Sequence, residues 1–310
     1  MTNYFLVSRM DELVKQFYLW QPIDLSWLNA TLSKQLEHDT DLQQFQTELL
    51  SRTVKSKIFS KFPTHTGSCS SFFKKLVVVF EKLGIETVLD EFYETSVPVQ
   101  KLDEAGNHFY KSYFDTGGRI HYCSLIETKE FVSRGTTGLQ TWPAAEFLFE
   151  HLKCHLTNQT VLELGSGIGY LGISSLNHSS KTKWIFTDHS EAVLDNLREN
   201  LALNNIGQDK YLVTHLDWSQ PPPKTEVFNQ DIIVASDVVF DQRIIPDLCR
   251  CITRLLSKGQ RAIIANVERN EKTKESFEQT LIHSGLKFHL QRSKNMLLYD
   301  IEMQKSAAVY

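Results

Sequence analysis

The chain has 310 residues, 41% of them apolar and 23% charged, with 14 glycines and 8 prolines; this excludes collagen-like, low-complexity and wholly disordered chains. At about 150 residues per domain, two domains are expected, large enough to bury their own cores. Lys plus Arg number 33 against 37 Asp plus Glu, a net charge of −4, so the basic excess of nonspecific nucleic-acid binders is missing and no direct nucleic-acid partner is expected.

No apolar run approaches the roughly 18 residues of a membrane span, and Asp11 and Glu12 interrupt the N-terminus before a signal-like stretch forms. No membrane partner and a cytoplasmic location follow as expectations. The five cysteines, Cys69, Cys123, Cys154, Cys249 and Cys251, include no CxxC pair, so they read as reduced packing thiols. The histidines are read as showing neither HxxxH nor HExxH spacing, as surface or packing residues, and no metal site is expected.

Residues 1–105 carry helical periodicity. Leu42, Phe45, Leu49, Leu50, Val54 and Ile58 recur at three- and four-residue steps, as do Phe72, Phe73, Leu76, Val77, Phe80 and Leu83 before Gly84. Pro63 and Gly67 break the pattern between them. Thr116-Gly117-Gly118, between apolar stretches at 110–114 and 120–125, predicts a hairpin. The helical region 1–105 is expected to recognise a protein substrate, the alternative being that it only caps a sheet. The hairpin is expected to open a second domain spanning 106–310.

From residue 159 short β-branched runs alternate with helical stretches. Strands are predicted at 160–164, 183–187, 211–214, 231–235 and 261–265, with helices at 190–204, apolar on the face of Val193, Leu194, Leu197 and Leu201, and at 244–257. Nearly continuous apolar strands between helices imply a parallel sheet covered on both faces, an α/β fold. Extended segments at 286–291 and 296–302 have no helix between them and should pair antiparallel at the sheet edge, making seven strands. Pro221-Pro222-Pro223 reads as a stiff connection.

The segment Glu163-Leu164-Gly165-Ser166-Gly167-Ile168-Gly169-Tyr170-Leu171-Gly172 lies where the first of these strands turns into a helix. Glycines there let a ligand lie against bare backbone, and the helix start offers free N–H groups to an anion. Gly167, Gly169 and Gly172 also match GxGxxG, so a dinucleotide turn is one reading. An acid followed by GxGxG is more typical of S-adenosylmethionine. Asp188 can accept from ribose hydroxyls in either case, its scaffold reading being an acid at a helix start. Asp217-Trp218 suits an adenine edge and face, unless Trp218 is a core aromatic. Asp237-Val238-Val239-Phe240 follows the fourth strand, at the carboxyl edge where open α/β sheets place ligands. An exposed acid and an aromatic three residues on can hold an amine. The bland reading is a solvated acid beside a packed Phe.

With these motifs, residues 134–302 resemble the seven-strand S-adenosylmethionine-dependent methyltransferases with a Rossmann-like sheet whose last strand is antiparallel. Within them the Asp-x-x-Phe segment resembles the protein-lysine methyltransferases. The run Arg134-Gly135-Thr136-Thr137-Gly138-Leu139-Gln140-Thr141-Trp142-Pro143-Ala144-Ala145, with Leu49-Leu50-Ser51-Arg52-Thr53-Val54 upstream, is similar to the branch acting on a lysine of eukaryotic elongation factor 2. The resemblance implies S-adenosylmethionine as cofactor and elongation factor 2 as partner; a monomer is expected. It implies cofactor contacts from Trp142 (methionine end), Glu163, Gly165, Ser166, Gly167, Gly169, Asp188 (ribose), Trp218 (adenine) and Ser236, and catalytic roles for Asp237 and Phe240. Ser236 stands where this branch usually has Ala, and Phe240 where Tyr is frequent, which removes a phenol hydroxyl. Two other readings stay open at this point: a nicotinamide-dependent oxidoreductase, which leaves Trp142, Trp218 and Asp237 without roles, and a non-catalytic methyltransferase-like adaptor.

Overall fold

The periodic apolar residues of the first half form six helices: α1 (Thr2–Tyr18), α2 (Leu25–Ser33), α3 (Asp39–Arg52), α4 (Lys57–Lys61), α5 (Thr66–Lys82) and α6 (Asp90–Ser96). The computed structural model describes residues 2–33, 39–97, 109–115, 117–127, 137–179, 181–220 and 228–304, so residues 134–136 of the resemblance motif, Thr116 of the predicted turn and Pro221-Pro222-Pro223 lie outside the described residues. Local chemistry sets the helix ends. Ser56 Oγ accepts from the Phe59 N–H at 2.9 Å to start α4. Gly84, at φ +69°, lets the Ile85 N–H reach back to the Phe80 carbonyl at 3.0 Å and closes α5. The helices share a core rich in phenylalanine, with Phe17, Phe72, Phe73, Phe80 and Phe92 in edge-to-face and tilted contacts.

Strands β1 (Phe109–Phe114) and β2 (His121–Glu127) form the antiparallel hairpin. Its contacts assign it to the helices before it: the chain divides into compact units Met1–Glu127 and Thr128–Tyr310, not at residue 105. Phe114 lies 4.9 Å from Tyr18 between ring centroids, Tyr110 lies 5.9 Å from Phe62, and Arg52 donates to the Gly118 carbonyl at 3.1 Å. In the hairpin, buried Glu127 accepts from the Tyr113 hydroxyl at 2.5 Å and from Lys111 at 2.9 Å.

The second unit contains α7 (Pro143–Leu152), β3 (Thr160–Leu164), α8 (Tyr170–His178), β4 (Lys183–Asp188), α9 (Glu191–Leu203), β5 (Tyr211–His215), β6 (Ile232–Ser236), α10 (Ile245–Leu255), β7 (Arg261–Val267), α11 (Glu271–His283), β8 (Leu286–Ser293) and β9 (Met296–Met303). The seven strands run in the order β5-β4-β3-β6-β7-β9-β8. The first five are parallel, and β9 is antiparallel to both neighbours. Thus β9 enters between β7 and β8, and β8 forms the edge. Residues such as Leu162, Ile233, Ile264 and Phe277 are fully buried between sheet and helices. The chain runs outward from β3 toward β4 and then returns to β6 on its other side, which makes the β3–β6 junction the switch point where such sheets hold ligands.

All five cysteines are free; Cys154 is exposed and the other four are buried. Burial pushes the thiols of Cys69, Cys249 and Cys251 up to about 12.

Candidate active site

Five chain segments at the carboxyl edge of the sheet and the start of α7 enclose a cleft of about 650 Å³. The glycine turn after β3 supplies its floor. Gly165 and Gly167 adopt φ of +65° and +53°, conformations in which any other side chain is strained. A Cβ at Gly165 would stand 3.1 Å from Val238 and 3.3 Å from Trp218, and one at Gly167 would stand 3.1 Å from the Gly138 carbonyl. Gly169 and Gly172 serve packing instead. A Cβ at Gly169 would lie 2.2 Å from Leu197 Cδ1, and one at Gly172 2.2 Å from Phe186 Cε1. Gly169 is therefore the one expected site residue that does not line the cleft.

Ser166 ties the turn to the end of β4: its N–H donates to the Thr187 carbonyl at 2.8 Å, and its Oγ accepts from the Thr187 N–H at 3.0 Å. Glu163 is buried and accepts from Trp184 Nε1 at 2.7 Å. Burial pushes its carboxyl up to about 8, so this acid is neutral over much of the neutral pH range. Asp188 caps both the turn and the next helix. Its Oδ2 accepts from the Gly167 N–H at 3.2 Å and its Oδ1 from the Ser190 N–H at 3.1 Å; the ring of His189 is held above its ordinary value by its hydrogen bond to Asp188. Asp188 thus stands at a helix start and also lines the cleft. Trp218 is likewise both: half-buried against the sheet core and part of the wall.

The opposite side of the cleft differs from the expectation of an exposed acid. Asp237 is only 8% exposed, and its φ of +55° aims it from the end of β6 in a strained conformation. Its Oδ1 accepts from the Val267 N–H at 3.0 Å and from Arg269 at 2.8 Å, and its Oδ2 from Arg269 at 3.0 Å. Phe240, by contrast, is 57% exposed on the rim. Arg269 was not anticipated. It lies two residues past β7, and its guanidinium also sits 5.5 Å from the ring of Trp142. Trp142 caps α7 and donates from Nε1 to the Thr137 carbonyl at 3.2 Å. The position of Arg269 beyond the carboxyl end of a parallel strand was the available signal.

Among the described residues no group of three His, Cys, Asp or Glu could hold a metal. His151 and His155 do have HxxxH spacing at the end of α7, but their rings stack on each other at 6.0 Å.

Comparison with known proteins is decisive here: the family model described as lysine methyltransferase matches residues 125–283. The chain belongs to the lysine methyltransferase family. Relatives include the human protein-lysine N-methyltransferase EEF2KMT, 28% identical over 283 residues and covering 85% of this chain and 84% of that one. The mouse protein of that name is 30% identical over 257 residues, covering 77% and 75%. The protein-lysine N-methyltransferase EFM3 of Chaetomium thermophilum is 32% identical over 182 residues, 54% of each chain. S-adenosylmethionine is the methyl donor of this lysine methyltransferase. The cleft fits it: Gly165 and Gly167 bring bare backbone to its wall at positive φ, and Asp188 Oδ2 has acceptor capacity left for a ribose hydroxyl.

Proposed function

We propose that this methyltransferase modifies a lysine of eukaryotic elongation factor 2, acting as a cytoplasmic monomer. The observation that carries the reading is the extent of similarity to the proteins named EEF2KMT: an alignment covering 85% of the chain runs well beyond the second unit into the helical one. Similarity confined to the cofactor fold would have stopped short of it.

S-adenosylmethionine, when bound, supplies a methyl group on a sulfonium, open to attack by an amine. Gly165, Gly167 and Trp142 would hold its methionine end, Asp188 its ribose and Trp218 its adenine. The chain's remaining task is to bring a neutral lysine amine into line, about 3 Å from the methyl carbon. Lysine ordinarily titrates near 10.4, so a partly closed, apolar-walled cleft that disfavours the ammonium assists. Asp237 accepts an N–H of that amine, which fixes its direction and compensates the charge that develops on nitrogen. Phe240 supplies a ring face at the rim for the lysine stem. No covalent nucleophile is required.

The first unit is assigned to recognition of the protein substrate. Its exposed apolar residues Tyr93 and Val97, 41% and 62% accessible on and just after α6, offer contact surface. Replacing both with Ser should raise KM for elongation factor 2 and leave cofactor affinity unchanged; an unchanged KM removes this patch from recognition. The substrate itself is tested by intact-mass spectrometry of elongation factor 2 from cells with and without this protein, together with labelled methyl transfer to the purified factor. Loss of one or more methyl increments in the cells lacking it is expected. Unmodified mass in both, with no transfer in vitro, would point to another lysine substrate or to an adaptor.

A further inference from the structure

Asp237 is held in a bidentate ion pair with Arg269. Carboxylate oxygens have about two acceptor positions each, and three of the four on Asp237 are taken: two on Oδ1 by the Val267 N–H and Arg269, one on Oδ2 by Arg269. One position, on Oδ2, remains. The guanidinium that occupies the others also lies over Trp142, so Arg269 joins two walls of the cleft of the second unit. Other titratable groups in and beside the cleft are committed elsewhere: Asp241 to Arg243, Asp247 to Arg250, Glu268 to Arg292 and Lys274, the buried Glu163 to Trp184, and Asp188 to the glycine turn, Ser190 and His189. Asp217 is capped by the Ser219 N–H.

This arrangement bears on the reaction because an unopposed carboxylate beside lysine stabilises the ammonium, the form that cannot accept a methyl group. A bidentate arginine offsets part of that charge without removing the acceptor. We propose that Arg269 is a positioning residue for methyl transfer: it clamps Asp237 so that a single acceptor position meets the lysine amine, and it offsets enough of the carboxylate charge that the amine is not held protonated before reaction. The inference rests on the reading that Asp237 faces the substrate lysine.

The test is kcat against pH for labelled methyl transfer to elongation factor 2, with S-adenosylmethionine affinity measured by calorimetry for each variant. In the wild-type enzyme kcat rises with pH as bound lysine loses its proton. In Arg269→Gln that rise should move to higher pH by about one unit or more, with cofactor affinity unchanged. In the double variant Arg269→Gln, Asp237→Asn, the carboxylate charge is gone and the rise should return toward its wild-type position at low overall rate. Arg269→Lys keeps the cation but loses the fork, so the rise should stay in place while kcat drops several-fold. This variant decides the matter if Arg269→Gln does not fold. An unmoved rise in Arg269→Gln, a shifted rise persisting in the double variant, or full kcat in Arg269→Lys would each overturn the proposal. So would lost cofactor affinity in Arg269→Gln, which would make Arg269 a support for the Trp142 wall. Asp237→Asn separates the two levels: wild-type turnover in it sinks the placement of the lysine, whereas a large loss there with normal Arg269→Gln kinetics sinks only the role of Arg269.

Discussion

In the first unit, buried Glu127 is closed off by Tyr113 and Lys111, and Asp11 by Arg52 at 2.8 Å. In the second, Glu163, Asp188 and Asp237 are equally buried but stand in the wall of a cleft, beside glycines held at positive φ and, at Asp237, a strained non-glycine residue. Burial alone therefore does not separate acids closed into a core from acids that line a cleft. What separates them is whether acceptor capacity is left facing open space, and whether the backbone beside it is strained to keep it there.

The largest effect that would test this contrast is Gly167→Arg, which should abolish S-adenosylmethionine binding in calorimetry while the second unit stays folded. Retained affinity would mean that the glycine turn is not the cradle. Asp188→Ala should come next, weakening cofactor affinity by about 1.5–3 kcal/mol for each charge-assisted ribose hydrogen bond lost. If turnover fell at unchanged affinity, Asp188 would belong to the substrate side.

Glu163 gives the contrast a pH signature. Burial raises its carboxyl from 4.5 to about 8, so between those values the folded chain retains a proton that the unfolded chain has lost. Its contribution to stability is present below about pH 4.5 and is lost as pH rises through about 8. Thermal unfolding across that window should show a shallower decline in Glu163→Gln; an identical decline would reassign the slope to other groups. In the first unit, Tyr113→Phe leaves buried Glu127 short of a donor and should cost about 1–3 kcal/mol in chemical denaturation, with cofactor affinity untouched. Phe240→Ala should be mildest, raising KM for the protein substrate by the equivalent of about 0.5–2 kcal/mol.

The strands, the glycine turn and Asp188 were legible in the sequence because each is written in a short contiguous pattern whose geometry is local. Gly169 shares that pattern, yet its requirement comes from Leu197, a residue 28 positions later, and spacing alone does not distinguish a ligand cradle from a helix-packing contact. The hairpin was recognisable as a hairpin but not as a partner of the helices, since Tyr18 and Phe62 lie dozens of residues upstream. Arg269 is the sharpest case. A basic residue in a polar loop looks solvated until the sheet order sets β7 beside β6 and brings its guanidinium to Asp237.

The distribution of thiols offers a probe of how the two units open. Cys69 and Cys123 are buried in the first, Cys249 and Cys251 in the second, and Cys154 alone is accessible. An alkylating reagent near neutral pH should label Cys154 at once and the others only when their surroundings come apart, so peptide-resolved labelling rates report the opening free energy of each unit separately. Adding S-adenosylmethionine should slow labelling of Cys249 and Cys251 in proportion to its binding, while Cys69 and Cys123 keep their own rate.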